Sequence, residues 1–358
     1  MRTVALIQFG VGQVGRALVE MILDVRGRLA QRGIAFEYVA LADRDGAVIA
    51  EPGAPPLSEP LLRELCRLKA AGSRLAEHPR GYHQENLAAI VDVAGRSETL
   101  VVDATAAEVT AIGPAFWRAQ ELGYGIVLAN KKPLTADMAT FRRLTSGPLG
   151  YEATVGAGLP VIRTLQMLLD TGDVVRAIRG ALSGTLGFIM SHLEGGLAFS
   201  QAVRRAVELG YTEPDPRDDL NGLDVARKAL ILARTMGLER ELAHVHVESL
   251  APPTPADASV EEVLVALEAV DDAMAQRFQQ AEATGHTLRY VATVTPDELR
   301  VGVAHVPRDG PLGGLQGPDN LILFETERYT PRPLVIRGPG AGATVTASAL
   351  LADLLALV

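Results

Sequence analysis

The 358-residue sequence predicts an α/β protein, a doubly wound parallel sheet followed by an α+β domain. Three observations carry the prediction. Short β-rich runs alternate with longer amphipathic ones over the first 150 residues, a glycine-rich turn follows the first of these runs, and strand-like segments such as TLRYVATV and NLILFET gather in the second half.

TVALIQF reads as the first strand, VGRALVEMILDVRGRLA as a helix and FEYVALAD as the second strand. TLVVDATA and GIVLAN are further strands, each followed by a helical stretch. That alternation is the signature of a parallel sheet covered by helices. Between the first strand and helix, Gly10, Gly12 and Gly15 fall at the G-x-G-x-x-G spacing. The first glycine permits a tight turn, the second lets backbone approach a pyrophosphate, and the third lets helix pack on strand. The unpaired N–H groups of the helix N-terminus then face the anion. The expected first domain is therefore Rossmann-type and binds a dinucleotide.

The second strand ends in Leu41-Ala42-Asp43-Arg44, where an acidic residue meets the adenosine ribose in such folds. Asp43 suits the ribose hydroxyls of NAD and Arg44 the additional phosphate of NADP, so the sequence leaves both cofactors open. A plain Asp-Arg-Asp-Gly turn is the alternative.

Beyond residue 150, VVRAIRGALSG is strand-like, TLGFIMSHLEGG follows it, a helix is expected over Ser200 to Leu209, and GYTEPDPRDDLNG is a polar loop. APPTPADAS opens the segment from 251 as a proline-rich linker. At the end, GPGAGATVTASALLADLLALV places a glycine loop before a helix from about Ala343, expected to pack back on the nucleotide domain. The expected domains are 1–150 with 340–358 for the dinucleotide, and 151–339 for substrate and dimerisation. There is no internal repeat.

Composition narrows the partners. A net charge of −9 with no long block of like charges lacks the footprint of a nucleic-acid or anionic-membrane binder. No apolar run reaches the roughly 18 residues that span a bilayer, and no signal-peptide pattern opens the chain, so a cytoplasmic location is expected. The single cysteine, Cys66, excludes an internal disulfide or a thiolate zinc cage and sits at an apolar position of the helical run PLLRELCRLKAAG. His244 and His246 alternate in HVHVES as in a strand that points both rings one way, with no third ligand nearby. Neither a G-x-S-x-G elbow nor an H-E-x-x-H helix occurs.

Of 34 basic residues only four are lysine: Lys69, Lys131, Lys132 and Lys228. A buried lysine can lose its proton near neutral pH where arginine cannot, so these four bear on chemistry. Lys131 and Lys132 follow the strand GIVLAN, at the sheet edge where α/β proteins bind ligands. Lys228 lies in DVARKALILARTMG, four residues after Asp224 on one helical face, beyond the acidic cluster that begins at Glu213. A glycine turn, a lysine after a later strand and a carboxylate–lysine cluster describe a dehydrogenase that uses no metal.

The segments GVGQVG, VVDATA, ANKKPL, EATVGAGLPVI, LSGTLGFI, GYTEPDPRDDLNGLDVARKALILAR and GPGAGATVTASALLADLL together resemble homoserine dehydrogenase over nearly the whole chain. The resemblance implies interconversion of L-homoserine and L-aspartate 4-semialdehyde with NAD or NADP. It implies Lys228 as general acid/base, and Lys131 as a second catalytic lysine that holds substrate near the nicotinamide. Glu213 and Asp219 would be the substrate-binding carboxylates, Glu213 accepting from the amino group, Asp224 would orient Lys228 or touch substrate, and Thr185 would offer its backbone. The cofactor-binding set is Gly10, Gly12, Gln13, Val14, Gly15, Asp43, Arg44, Thr105 and Lys131. By the same resemblance a monovalent cation, sodium in most members, is held by the carbonyls of Glu152, Val155, Ala157 and Leu159, and the protein is a homodimer. The chain stops after the final helix, leaving no room for a C-terminal regulatory domain, so threonine feedback by that route is not expected. Two competing readings are a dinucleotide sensor without turnover, which would have lost the lysine–carboxylate set, and a dehydrogenase for another amino-aldehyde or hydroxy acid. A hydroxy-acid enzyme would offer arginine to a carboxylate rather than acids to an ammonium.

Overall fold

Parallel strands are buried on both faces, and the first strands here are continuous apolar runs rather than alternating ones. The computed structural model describes all 358 residues and divides them into two units, Met1–Gly158 with Ala341–Val358, and Leu159–Gly340.

In the first unit β1 (Arg2–Phe9), β2 (Ile34–Ala42), β3 (Ala47–Ile49), β4 (Thr99–Asp103), β5 (Gly125–Leu128) and β6 (Leu149–Gly150) form one sheet in the order β3-β2-β1-β4-β5-β6. All neighbours are parallel except the short β3, which runs antiparallel to β2. Helices α1 (Gln13–Gln31), α2 (Glu59–Ala70), α3 (Leu87–Ala94), α4 (Val109–Glu121) and α5 (Met138–Thr145) connect them. Strand order reverses direction between β1 and β4, the switch point at which doubly wound sheets bind ligands. The register aligns the strand ends there: Phe9 lies opposite Ala42 and Asp103, and Asp103 opposite Leu128.

The C-terminal helix (Ala343–Ala356) lies along α1 and against β5 and β6, and adds Ala347, Leu350 and Leu354 to the core of the unit. This helix also extends the unit past residue 150. A Cβ at Gly150 would stand 2.5 Å from the Asp353 side chain, and one at Gly158 2.4 Å from the Val345 carbonyl oxygen. Asp353, 4% exposed, accepts a hydrogen bond from the Glu152 amide at 2.8 Å.

The second unit has a mixed sheet in the order β12-β11-β7-β9-β10-β8, built from β7 (Val175–Ala181), β8 (His246–Val247), β9 (His286–Val294), β10 (Leu299–Pro307), β11 (Asp319–Thr326) and β12 (Leu334–Pro339). Its helices are α6 (Val161–Asp170), α7 (Gly184–Glu194), α8 (Phe199–Glu208), α9 (Arg217–Leu220), α10 (Leu223–Thr235), α11 (Val260–Ala266) and α12 (Asp271–Glu282). The helix α8 buries Phe199, Ala202, Val203 and Ala206, the i, i+3, i+4, i+7 stripe that pins an amphipathic helix to a core. Helices α7, α10 and α12 pack on β9, whereas Val291, Leu321, Leu323 and Ala181 form a separate apolar cluster.

Two local readings change. His244 ends a 3-10 turn (Leu242–His244) and only His246 enters β8, because the His244 ring closes that turn by accepting the Glu241 amide. The proline-rich stretch from 251 is an internal loop of the second unit rather than a link between units, held by Arg217, which donates to the carbonyls of Pro255 (2.9 Å) and Ala258 (3.2 Å).

Candidate active site

In the first unit a candidate cofactor cleft grows from the aligned ends of β1, β2 and β4. Gly10 has φ +92°, and a Cβ there would stand 2.5 Å from the Ala104 carbonyl, so the turn between strand and helix admits only glycine. At Gly15 a Cβ would lie 2.1 Å from the Gly10 oxygen, while Gly12 has nothing within 4 Å. The first and third glycines therefore serve packing, and the second leaves open space. A cleft of about 1000 Å³ runs past Gly10, Val11, Gly12, Asp43, Arg44, Lys69 and Thr105. Gln13 and Val14 lie in the first turn of α1, and with Gly15 and Lys131 they do not line this cleft.

Asp43 ends up fully engaged. Its Oδ1 accepts the amides of Asp45 and Gly46, each at 3.0 Å. The other oxygen accepts the Leu75 amide at 3.0 Å and the Lys69 ammonium at 2.6 Å. Four donors occupy the roughly four acceptor positions of a carboxylate. Burial pushes this carboxyl up, but the Lys69 ammonium and the backbone amides outweigh it and hold Asp43 below its ordinary value. Its side chain is 8% exposed against 86% for Arg44, so the group that reaches outward from the end of β2 is the guanidinium. No motif in the sequence places Lys69 here. Its signal was only its rarity, since it stands 26 residues from its partner.

Between β4 and β5, buried Asn130 donates to Asp103 at 3.0 Å and to the Ala107 carbonyl at 2.8 Å, and Asp103 accepts the Thr105 amide at 2.8 Å. Burial raises the Asp103 carboxyl above its ordinary value. This network ties Thr105 to the loop that starts Lys131. The two adjacent lysines differ: Lys132 pairs with Glu108 at 2.6 Å, whereas Lys131 opens a turn in which its carbonyl accepts the Thr135 amide at 3.1 Å.

In the second unit the predicted substrate residues converge through hydrogen bonds. The hydroxyl of Thr185, in the first turn of α7, donates to the Tyr211 carbonyl at 2.6 Å. Asp219 on α9 accepts the Glu213 amide at 2.8 Å, which leaves the exposed Glu213 carboxylate at the rim of the loop. Lys228, with a side chain 10% exposed, donates to the Leu182 carbonyl at 2.7 Å and pairs with Asp224 at 2.8 Å. An ammonium has three N–H groups, and these partners take two. Burial pushes the Asp219 carboxyl above its ordinary value, and the charges of Asp224 and Asp218 add to the rise. Helix α10 starts where it does because Gly222 adopts φ +73° with no room for a side chain: a Cβ would stand 2.1 Å from the Tyr290 hydroxyl, which donates to the Glu248 carbonyl at 2.7 Å.

The segment after β6 carries two successive left-handed residues, Gly156 (φ +80°) and Ala157 (φ +56°). For alanine this costs about 1–2 kcal/mol, a strain found mostly where backbone serves a function. The carbonyl of Glu152 accepts the Val155 amide at 3.4 Å and that of Leu159 the Val161 amide at 2.8 Å. No cluster of three or more His, Cys, Asp or Glu able to hold a metal exists, so an ion here would need oxygen donors from backbone.

The homoserine dehydrogenase family model matches residues 160–355. A chloroplastic bifunctional aspartokinase/homoserine dehydrogenase 2 of Zea mays is 44% identical over 267 residues, 72% of this chain and 29% of that one. The homoserine dehydrogenase of Emericella nidulans is 41% identical over 256 residues, 66% of this chain and 69% of that one. Against the bifunctional relatives the chain spans 29% to 43% of their length. A putative homoserine dehydrogenase structure from Archaeoglobus fulgidus superposes with a TM-score of 0.76 at 27% identity, covering 98% of each chain. A hyperthermophilic archaeal homoserine dehydrogenase in complex with NADPH shares the fold, with a TM-score of 0.74 at 23% identity over 99% of this chain and 97% of that one. With the family match spanning more than half the chain and falling on the α7, α9 and α10 cluster, this protein belongs to the homoserine dehydrogenase family.

Proposed function

We propose that the chain is an NAD(P)-dependent homoserine dehydrogenase that interconverts L-homoserine and L-aspartate 4-semialdehyde, on the route to threonine and methionine. The observation that carries it is Lys228, buried on α10 with two of its three N–H groups fixed by the Leu182 carbonyl and Asp224. Such a lysine is oriented rather than mobile, and the third N–H is left for the oxygen that changes between aldehyde and alcohol. The nicotinamide supplies or accepts the hydride. Lys228 delivers the proton to the carbonyl oxygen in reduction and removes it from the hydroxyl in oxidation. Lys131 is the second catalytic lysine that the family resemblance implies. Glu213 and Asp219 accept from the substrate ammonium, which explains why acids rather than arginine cluster in this loop. Asp224 holds Lys228, and Thr185 fixes the turn that starts α7.

For the cofactor, the glycine turn with Gly10, Gly12, Gln13, Val14 and Gly15 takes the pyrophosphate, and Thr105 and Lys131 border the nicotinamide end. NADP is favoured over NAD because Asp43 has no acceptor position left for ribose hydroxyls, while Arg44 and Lys69 offer two cations to a phosphate. The strained turn at Gly156 and Ala157 supports a monovalent cation, sodium, on the carbonyls of Glu152, Val155, Ala157 and Leu159. The homodimer belongs to the same proposal, through the sheet to which β9 and β10 contribute TLRYVATV and LRVGVAHV, and so does a cytoplasmic location. No helix is long and apolar enough to cross a membrane.

The test is initial-rate oxidation of NADPH and of NADH with L-aspartate 4-semialdehyde. Turnover with preference for NADPH is expected. Binding of a nicotinamide dinucleotide without turnover would transfer the protein to the sensor reading.

A further inference from the structure

The strand β1 contains one residue that does not belong in an apolar run. Gln8 is 0% exposed between Ile7 (0%) and Phe9 (1%) in the centre of the first unit's sheet. A carboxamide buried without partners is costly, so its hydrogen bonds state what it is for. All its donors are spent on the glycine turn: Nε2 donates to the Gly10 carbonyl at 2.9 Å and to the Gly15 carbonyl at 3.0 Å. The acceptor Oε1 receives the hydroxyl of Tyr38 at 3.0 Å, from the neighbouring strand β2. Burial pushes the Tyr38 phenol well above its ordinary range, which keeps it a donor. The amide orientation is therefore determined, because the reversed amide would set Oε1 against two carbonyl oxygens.

The consequence lies in the peptide plane. A trans peptide directs its C=O and N–H to opposite sides. With the Gly10 carbonyl drawn inward to Gln8, the Val11 N–H points away from the sheet interior, toward the cleft that Gly10, Val11 and Gly12 line. The second bond fixes the Gly15 carbonyl in the first turn of α1, so one side chain joins both ends of the G-x-G-x-x-G turn. Gly15 makes this possible, since a Cβ there would stand 2.8 Å from the Gln8 amide nitrogen and 2.1 Å from the Gly10 oxygen.

We infer that Gln8, oriented by Tyr38, is a positioning residue for the cofactor pyrophosphate: it holds the Gly10 carbonyl inward so that the Val11 amide faces the phosphates, and through the Gly15 carbonyl it locks the turn to the start of α1. This rests on the proposed dinucleotide binding and adds to it a residue outside the glycine motif.

The experiment compares full-length wild type, Gln8→Met and Tyr38→Phe. It measures Kd for NADPH, ADP and 2′-AMP, KM for NADPH and for aspartate semialdehyde, and Tm. Methionine keeps the length and buries well but donates nothing. Gln8→Met is expected to raise Kd for NADPH and for ADP about tenfold, the order expected for two lost hydrogen bonds. The affinity for 2′-AMP, which has no pyrophosphate, stays within about twofold, as do KM for aspartate semialdehyde and kcat at saturating NADPH. Tyr38→Phe moves the same two constants by about threefold. If Gln8→Met folds and binds ADP and NADPH like wild type, or weakens 2′-AMP equally, the inference is overturned while the dehydrogenase reading stands. Should Gln8→Met fail to fold, Tyr38→Phe decides, and an unchanged NADPH Kd overturns the inference. Wild type that binds no nicotinamide dinucleotide overturns the cofactor reading and this inference with it.

Discussion

Replacing Lys228 with methionine separates chemistry from stability. The side chain is 10% exposed, its ammonium donates to the Leu182 carbonyl at 2.7 Å, and it pairs with an Asp224 that is 48% exposed. A positioned general acid contributes about 10²–10⁴ in rate, or about 3–5 kcal/mol of barrier. The stability terms are smaller. Losing the charge-assisted bond to Leu182 costs about 1.5–3 kcal/mol, and the half-exposed ion pair adds only about 0.3–0.5 kcal/mol. Methionine fills nearly the same volume and removes the cost of burying a charge, so the net loss is about 1–2 kcal/mol and Tm falls by about 2–6 °C. The assay is NADPH oxidation by aspartate semialdehyde under saturating conditions, beside a thermal melt. A kcat lower by a factor of about 100 or more is expected, with NADPH affinity unchanged. Small primary amines should partly restore turnover to Lys228→Ala. A folded Lys228→Met enzyme that retains more than about a tenth of wild-type kcat would refute the acid/base assignment.

Lys69→Met should lower kcat/KM for NADPH by about tenfold or more while leaving that for NADH within about twofold, because only the phosphorylated ribose meets the lost cation. The same change weakens acid resistance. Asp43 has a depressed carboxyl, so its stabilising effect is present above its unfolded-chain pKa and is lost as pH falls through the lower folded value; without Lys69 that window shrinks, which urea melts across the acid range can read. Asp219 runs the other way. Its raised carboxyl costs stability as pH rises through the folded value, so Asp219→Asn should be more stable than wild type at neutral pH, lose that advantage in acid, and show a higher KM for aspartate semialdehyde. Gly222→Ala drives a methyl into the Tyr290 hydroxyl at a left-handed residue and should destabilise by about 2–4 kcal/mol, with Tyr290→Phe recovering part of the loss in the double variant.

What was legible in the sequence is what repeats or is fixed by close neighbours. The glycine spacing and the alternation of β1, α1 and β2 are local, and so is the Asp224–Lys228 pair, which one helical turn brings together. The start of the last helix could be read from the glycine loop before it. Other features depend on chain segments far apart. Lys69 reaches Asp43 only because α2 packs on α1 and on the Leu75–Glu77 turn, and this leaves Arg44 as the outward group. Gln8 resembles an interruption in an apolar strand until the Gly10 and Gly15 carbonyls fold over it. Residues 151–158 belong with the first unit because Gly150 and Gly158 admit the C-terminal helix, a contact no local pattern announces. His244 departs from its strand pattern because a turn closed by its own ring competes with the sheet.

The C-terminal helix completes a core that the N-terminal residues begin. Until it arrives, the apolar surface of α1 and the strands around Leu6, Leu18 and Tyr38 has no cover from Ala347, Leu350 and Leu354. On the ribosome the first unit must therefore wait while residues 159–340 are synthesised, on the order of 10–40 s at ordinary elongation rates. Of the two units, the one whose synthesis starts earlier is therefore the one whose core closes later.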